Sequence, residues 1–308
     1  MSNPALNPPL PLSAVIVGAG FAGIGMAIAL KKAKLDDFFI VEKAADVGGV
    51  WRDNHYPGAA CDVPSHLYSF SFEPNPRWSY VFARQPEIAA YLRHCADHYD
   101  VRRHMLFDSE VESAVYDEGA SLWQVTLKGG RTLRSRLLVS GVGQLSRPSI
   151  PALPGIDTFQ GHSFHSANWD GGYDLKGKRV AVVGTGASAI QFVPEIAREV
   201  ERLSVFQRSP AWLKERADRP YTDQEKAAFA ASPLRRRLHR LAIYLQYESR
   251  ALAFTRFRSL MKLAIGLPFN RMLKREIADP VLRGKLTPDY PIGCKRILLT
   301  SDYLGALA

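Results

Sequence analysis

Residues 13–23 read Ser-Ala-Val-Ile-Val-Gly-Ala-Gly-Phe-Ala-Gly, and this stretch decides the fold of the first half of the chain. Its first five residues predict a short buried strand, and the apolar run Ile24–Lys32 predicts a helix directly after the glycines. Gly18, Gly20 and Gly23 have the GxGxxG spacing, in which the glycines permit a tight turn, close approach of a diphosphate and close helix packing. Strand, turn and helix together predict a dinucleotide-binding site.

A second apolar strand, Phe38–Val41, ends at Glu42. A carboxylate at this place can accept hydrogen bonds from both ribose hydroxyls of an adenosine. The alternative is a glycine-rich turn with a solvated Glu42, but that interpretation leaves the two apolar strands unexplained. The first half of the chain is therefore predicted to bind a dinucleotide.

The same pattern recurs later in the chain. The strand Arg179–Val183 is followed by Gly184-Thr-Gly186-Ala-Ser-Ala, a helix, and a second strand that ends at Arg208. Arg208 lies 24 residues after Gly184, as Glu42 lies 24 residues after Gly18. A carboxylate repels a 2′-phosphate, whereas a guanidinium can bind one through two hydrogen bonds. The first site is thus predicted to take FAD and the second NADPH, although Arg208 could also be a simple surface arginine.

Composition narrows the class of protein. Hydrophobic residues make up 46% of the 308 residues and charged residues 23%, which is typical of a globular protein and excludes a disordered or collagen-like chain. The three cysteines, Cys61, Cys95 and Cys294, form no CxxC pair. This predicts a reducing, cytoplasmic location and no metal site, and it argues against a disulfide reductase, which needs a cysteine pair beside its flavin.

The ends and apolar runs of the chain predict no targeting segment. Residues 1–12 contain four prolines and no basic residue, unlike a secretory or transit signal. No uncharged apolar run approaches the ~20 residues that a membrane span needs. We therefore expect a protein without stable membrane insertion.

The net charge of +10 falls within one segment, residues 231–286, which holds 13 basic and three acidic residues. The segment is predicted to form helices that mix leucines with Arg235, Arg236, Arg237 and Arg240. A membrane-surface helix or a polyanion patch is possible. The favoured interpretation is a helical insertion with a solvated basic face, and no nucleic-acid partner is predicted.

Two aromatic-rich stretches carry a resemblance to a known family. Residues 159–170 read Phe-Gln-Gly-His-Ser-Phe-His-Ser-Ala-Asn-Trp-Asp, and residues 48–62 contain Gly-Gly-Val-Trp, Tyr-Pro-Gly and Asp62. These stretches match the fingerprint FxGxxxHxxxW(P/D) and its companion (A/G)GxW…(F/Y)P(G/M)xxxD at every fixed position. The chain thus resembles the flavin-dependent Baeyer–Villiger monooxygenases, within the flavin-containing monooxygenase class. Residues 48–62 are too rich in Gly, Pro and aromatics to predict a helix, so we expect an ordered loop.

The resemblance implies catalytic roles. Arg296 matches the arginine that holds the flavin peroxide as an anion, and Asp62 matches the aspartate that influences that arginine. Lys295 would bind the NADPH 2′-phosphate alongside Arg208, while Trp51 and Tyr56 would wall the isoalloxazine. Predicted cofactor contacts also include Lys43, Gly49, Tyr68, Thr185, Gly186 and Ser188. Phe159, Gly161, His165 and Trp169 would couple domain movement, with a structural histidine as the alternative for His165.

The predicted architecture is α/β, with two Rossmann-like dinucleotide-binding domains. Residues 1–12 form a tail, 13–150 the first part of an FAD domain, 151–175 a linker, and 176–308 an NADP domain with a helical insertion at about 215–288. Because the family's chains continue past the position of Arg296, a sequence that stops at Ala308 is expected to be truncated.

The function that the resemblance implies is an FAD- and NADPH-dependent monooxygenase. It would use O2, through a C4a-peroxyflavin, to convert a ketone or other lipophilic substrate to an ester or lactone. Two alternatives stay open at this point: a flavin monooxygenase that oxygenates nitrogen or sulfur, and a non-catalytic dinucleotide-binding fragment.

Overall fold

A computed structural model describes residues 11–255 and 258–308, except for the side chains of residues 251–259. Most of the predicted tail, residues 1–10, lies outside the described residues. The rest packs as two units. The first contains the described residues up to Asn54 together with Pro86–His165, and the second contains His55–Gln85 and the described residues from Ser166 to Ala308. The predicted domain boundaries, which concern cofactor binding, stay predictions.

The first unit is built on a six-stranded sheet with the order β3-β2-β1-β6-β5-β4. The strands are β1 (Leu12–Val17), β2 (Phe38–Val41), β3 (Met105–Leu106), β4 (Val111–Asp117), β5 (Leu122–Leu127) and β6 (Thr132–Ser140). β1 pairs in parallel with β2 and β6, and β2 with β3, whereas β5 is antiparallel to both β4 and β6. Ala14, Val15 and Ile16 are fully buried, as expected for a central parallel strand that is covered on both faces.

Three helices belong to this part of the chain: α1 (Phe21–Lys32), α2 (Val50–Asp53) and α3 (Gln85–His98). α1 starts directly after the first glycine turn, as predicted. The expectation that residues 48–62 contain no helix is wrong for the single turn α2. Hydrogen bonds between neighbouring residues form this turn, since the N–H groups of Asp53 and Asn54 donate to the carbonyls of Gly49 and Val50. The composition of residues 48–62 predicts an ordered loop and gives no signal for a helix of only four residues.

The second unit contains two small parallel sheets. β7 (Arg179–Val183) pairs with β8 (Arg202–Phe206), with α4 (Ala189–Ile196) between them along the chain, and β9 (Leu213–Glu215) pairs with β10 (Leu298–Thr300). Its core gathers Val193 of α4 with Phe269 and Ile277, all nearly fully buried. The repeated strand-turn-helix-strand unit confirms the predicted α/β class.

Between β9 and β10 the chain is mostly helical. The helices are α5 (Asp223–Ala231), α6 (Pro233–Thr255), α7 (Arg258–Met261), α8 (Leu267–Glu276) and α9 (Pro280–Leu286), with a π-helix at Lys262–Gly266. Short 3₁₀ helices lie at Arg102–His104, Ile156–Thr158, Ser166–Asn168 and Gly305–Leu307. None of the helices within the described residues is both long and apolar enough to cross a membrane.

The prediction of a solvated basic face on these helices is wrong for two arginines of α6. Arg236 donates to the carbonyl of Ala230 at 3.3 Å, and Arg240 donates to the carbonyls of His66 and Leu67 at 2.6 and 3.2 Å. The side of α6 that carries Arg236 and Arg240 therefore lies inward, where the two guanidinium groups supply donors to backbone carbonyls.

Candidate functional site

The first glycine turn has no room for side chains. Gly18 has a φ of +99°, and a Cβ on Gly23 would lie 1.8 Å from the carbonyl oxygen of Gly18. The N–H of Gly18 donates to the carbonyl of Val41 at 2.8 Å, which ties the turn to the end of β2. Gly20 caps α1 without any side-chain hydrogen bond, so the first N–H groups of the helix keep their donors for another acceptor. This turn fits a diphosphate.

Glu42 is buried at the end of β2, with 5% of its surface exposed. One carboxylate oxygen accepts from the N–H of Ala19 at 2.8 Å, and the other accepts from Ala44 at 3.0 Å and lies 3.3 Å from Arg52. Each carboxylate oxygen has two lone pairs, so acceptor capacity for a ribose hydroxyl remains on the oxygen that bonds to Ala19. Glu42 thus stabilises the glycine turn, a role that the motif alone did not suggest.

The remaining predicted contacts of the first unit lie around this turn in the sequence. Lys43 is exposed, and Gly49 and Trp51 are partly buried next to and within α2. A Cβ on Gly49 would lie 3.3 Å from the Cα of Gly20. The structure therefore brings the companion motif's glycine against the first fingerprint.

The second glycine turn repeats the first within the second unit. Gly184 has a φ of +105°, and its N–H donates to the carbonyl of Phe206 at 2.8 Å. A Cβ on Gly184 or Gly186 would meet nothing within 4 Å, so the space beside this turn is open to a ligand. Thr185 and Ser188 lie partly buried beside the turn. The turn fits a second diphosphate.

The two cations predicted for a 2′-phosphate lie at the same end of this sheet. Arg208 is exposed two residues after the end of β8, and the ammonium of Lys295 donates to the hydroxyl of Ser209 at 2.6 Å. Lys295 also lies 4.4 Å from the ring centre of Tyr290. The bond to the hydroxyl holds Lys295 next to Ser209, the residue that follows Arg208, although Lys295 and Ser209 are 86 positions apart in the sequence.

The segment that carries Tyr56 and Asp62 packs on α4, through a residue that sequence reasoning missed. Gln191 accepts from the hydroxyl of Tyr56 at 3.0 Å and donates to the carbonyl of Ala60 at 3.0 Å. A Cβ on Gly58 would lie 2.7 Å from the carbonyl oxygen of Gln191, so only glycine allows this approach. Burial raises the pKa of the Tyr56 phenol. Tyr56 is thus part of the second unit's core, and Gln191 lies outside every motif that could have revealed it.

Asp62 and Arg296, the two residues predicted to be catalytic, form an ion pair. The guanidinium of Arg296 donates to the carboxylate of Asp62, with 61% of the arginine side chain and 25% of the aspartate side chain exposed. Tyr68, a predicted cofactor contact in the same unit, is partly buried. The exposed guanidinium keeps donors for an external anion, since it carries five N–H groups.

Asp218, whose side chain is 9% exposed, organises the same region. Its carboxylate accepts from the N–H of Phe82 at 3.1 Å and forms ion pairs with Arg84 at 2.9 Å and Arg216 at 3.4 Å. Burial lowers the pKa of Arg216, and the nearby carboxylates of Asp218, Asp302 and Asp62 oppose that shift. No motif in the sequence marks Asp218.

The fingerprint residues 159–169 span the division between the units, which falls directly after His165. Phe159 and Gly161 are exposed and His165 is partly buried. Trp169 packs against Phe192 at 5.2 Å between ring centres, and its carbonyl lies 3.0 Å from Nε2 of His55. Coupling of domain movement stays a prediction.

Thiol chemistry finds no support at this site. Cys61 precedes Asp62, and burial raises the pKa of its thiol to about 12. Cys95 is buried and Cys294 exposed, and all three cysteines are free. Among the described residues, no three His, Cys, Asp or Glu side chains cluster as metal ligands would.

Comparison with known proteins places this architecture in a family. The family model described as pyridine nucleotide-disulphide oxidoreductase matches residues 15–229, which include both glycine turns. The chain belongs to this family. The chain contains no CxxC pair, which a disulfide reductase needs beside its flavin.

Individual relatives confirm the resemblance to Baeyer–Villiger monooxygenases. A protein of that name from Pseudomonas aeruginosa is 50% identical over 293 residues, which cover 95% of this chain and 55% of the relative. One from Streptomyces coelicolor is 49% identical over 294 residues, covering 95% and 56%. The chain therefore spans about half the length of these curated relatives.

Solved structures of monooxygenases have the same fold as this chain. OTEMO in complex with FAD and NADP superposes with a TM-score of 0.83 at 31% identity, covering 98% of this chain and 64% of that one. Steroid monooxygenase bound to NADP gives a TM-score of 0.81 at 36% identity, covering 96% and 64%. The α/β fold of this family member is thus shared with flavin monooxygenases.

Proposed function

We propose that this chain carries the FAD- and NADPH-binding parts of a Baeyer–Villiger monooxygenase. The observation that carries the proposal is the ion pair between Arg296 and Asp62, the two residues that the family resemblance marks as catalytic. The names of the relatives support the same reaction class. We further propose a ketone as substrate, O2 as co-substrate and a cytoplasmic location.

The first unit would hold FAD through features already present in the fold. The diphosphate would face the N-terminus of α1 across Gly18 and Gly20, and Glu42 would accept from the adenosine ribose. FAD, when bound, supplies the activation of O2 and the transfer of one oxygen atom to the substrate. The chain's own contribution here is to bind and orient the cofactor.

The second unit would hold NADPH at its own glycine turn. The open space beside Gly184 and Gly186 suits a diphosphate, and Arg208 with Lys295 would bind the 2′-phosphate. Two cations close to one phosphate favour NADPH over NADH, since NADH lacks that group. The chain would therefore position the nicotinamide cofactor and select it by charge.

Arg296 and Asp62 would act on the oxygen that is transferred. An arginine stays protonated at any physiological pH, so it can bind a carboxylate and a negatively charged oxygen at the same time. Asp62 orients the guanidinium and compensates part of its charge. A positioned cation of this kind stabilises negative charge as it develops, an effect commonly worth about 3 kcal/mol.

The test is oxygenation of a panel of ketones by the FAD-loaded chain with NADPH, with products identified by mass spectrometry. We expect ester or lactone from wild type and a loss of about 100-fold or more for Arg296→Ala. Arg198→Ala, which changes an exposed arginine of the same unit, is the matched control. Sulfide oxygenation that survives Arg296→Ala, without ketone oxygenation, would instead favour a heteroatom monooxygenase. FAD binding without any oxygenation would favour a non-catalytic fragment.

A further inference from the structure

Helix α6 packs on its unit through a polar side. Arg236, His239, Arg240 and Ile243 follow the spacing of one helix face. Arg240 donates to the carbonyls of His66 and Leu67. The His239 ring is tilted against Phe229, with 4.9 Å between ring centres, and its Nε2 lies 3.4 Å from the hydroxyl of Tyr221. These partners fix the rotation of the helix about its own axis.

The opposite side of α6 is a stripe of leucines that faces outward. Leu234, Leu238, Leu241 and Leu245 recur at intervals of four, three and four residues, which keeps them on one line along the helix. Between 49% and 64% of each residue is exposed. Contiguous exposed leucines on an otherwise well-bonded helix indicate a surface that binds something apolar.

Charge selects what the leucine stripe binds. Arg235 and Arg237 are exposed on either side of the stripe, and residues 231–286 hold the whole net charge of +10. Two copies of the chain meeting at this stripe would bring like charges together, which disfavours self-association. An anionic phospholipid surface offers phosphates for the arginines and an apolar layer for the leucines.

We propose that the leucine stripe of α6 binds the surface of an anionic phospholipid bilayer. The helix would lie in the plane of the interface, with its leucines at the boundary between headgroups and acyl chains and Arg235 and Arg237 at the phosphates. The bonds of Arg236 and Arg240 to backbone carbonyls already hold the leucines outward, so binding needs no rotation of the helix. Bilayer binding is independent of the proposed oxygenase activity, because it uses none of the cofactor residues.

The experiment is co-sedimentation of the purified chain with phosphatidylcholine vesicles, with and without phosphatidylglycerol. We expect binding only to the anionic vesicles, and weaker binding as salt is raised. The variant Leu238→Gln/Leu241→Gln should bind at least about tenfold more weakly. Its control, Leu145→Gln, changes an exposed leucine of the first unit and should bind like wild type.

The arginines are tested separately. Arg235→Gln/Arg237→Gln should weaken binding about 30-fold, since each basic residue near an anionic surface contributes about 1 kcal/mol, whereas Arg198→Gln should not. Circular dichroism checks that each variant is folded, as expected for substitutions at exposed positions. The proposal is overturned if anionic vesicles bind no protein, or bind the stripe variants as well as wild type. It is also overturned if light scattering shows a dimer that Leu238→Gln/Leu241→Gln dissociates.

Discussion

Asp62 and Arg296 form an ion pair although 234 residues separate them in the sequence. Each is attached to the second unit by its own backbone contacts. Cys61, next to Asp62, donates its N–H to the carbonyl of Ala83 at 2.9 Å, and Arg296 lies just before β10, which is parallel to β9. The pair is therefore set by the fold of the unit and not by a local turn.

Loss of the Asp218 carboxylate should destabilise the second unit. Asp218→Asn removes a counter-charge of Arg216, whose side chain is only 15% exposed, so we expect the free energy of unfolding to fall by about 3 kcal/mol in urea titrations. The control is Glu225→Gln, which changes an exposed ion pair with Arg219 and keeps an acceptor for the capping box of α5. It should cost about 1 kcal/mol or less. Equal losses for the two variants would contradict a central role for Asp218.

The first glycine turn should not tolerate a single added methyl group. Gly23→Ala places a Cβ 1.8 Å from the carbonyl oxygen of Gly18, so strand and helix must separate, and we expect a loss of about 3 kcal/mol in unfolding free energy. Gly171→Ala meets no atom within 4 Å and should change stability by about 0.5 kcal/mol or less. Chemical unfolding followed by circular dichroism measures both. Wild-type stability of Gly23→Ala would contradict close packing of α1 on β1 at this glycine.

Cofactor preference should depend on Arg208 and Lys295. Arg208→Ala removes a charge-assisted contact to the 2′-phosphate, so we expect NADPH to bind about tenfold or more weakly while NADH binding is unchanged. Lys295→Ala should act in the same direction. Titration calorimetry with each nucleotide measures the effect, and Arg198→Ala serves as the control. If both variants bind NADPH and NADH equally more weakly than wild type, Arg208 and Lys295 do not bind the 2′-phosphate.

Mild acid should destabilise the second unit through His66. Burial, together with the charges of His239, Arg236 and Arg240, lowers the pKa of the His66 imidazole from 6.5 to about 4. The unfolded chain therefore binds a proton more readily, so the stability is full above pH 6.5 and falls as the pH drops toward 4.

Protonation of His66 should lower the free energy of unfolding by about 3 kcal/mol when the pH falls from 6.5 to 4. Urea unfolding of wild type and His66→Leu at neutral and acid pH isolates it, because the variant should show a shallower pH dependence. His162→Gln, at an exposed histidine, should retain the wild-type slope. A wild-type slope in His66→Leu would assign the acid sensitivity to other groups.

The sequence predicts the parts of this molecule that local patterns control. Strands at Phe38–Val41 and Arg179–Val183 have the predicted bounds, because short apolar runs next to glycine turns leave little choice. The family resemblance marks Asp62, Lys295 and Arg296 together, and in the fold Asp62 pairs with Arg296 while Lys295 donates to Ser209. Spacing in the sequence alone shows neither contact.

What the sequence could not show depends on tertiary partners. Glu42 bonds to Ala19, and Gln191 holds Tyr56, but neither contact leaves a periodic or compositional signal. The rotation of α6 is a further case: the sequence predicts a solvated basic face, yet Arg240 lies inward, where it donates to the carbonyls of His66 and Leu67. Hydrogen bonds of this kind compete with the burial of apolar side chains, and the outcome depends on tertiary contacts that the sequence does not show.

Anaerobic reduction tests directly whether one chain carries both an FAD site and an NADPH site. The purified chain is loaded with FAD, NADPH is added without oxygen, and the absorbance of the oxidised flavin is followed. We predict that the flavin band bleaches, and that it bleaches more slowly with Arg208→Ala at limiting NADPH. Failure of the chain to bind FAD, or bound FAD that stays oxidised after NADPH is added, would contradict the presence of two working cofactor sites.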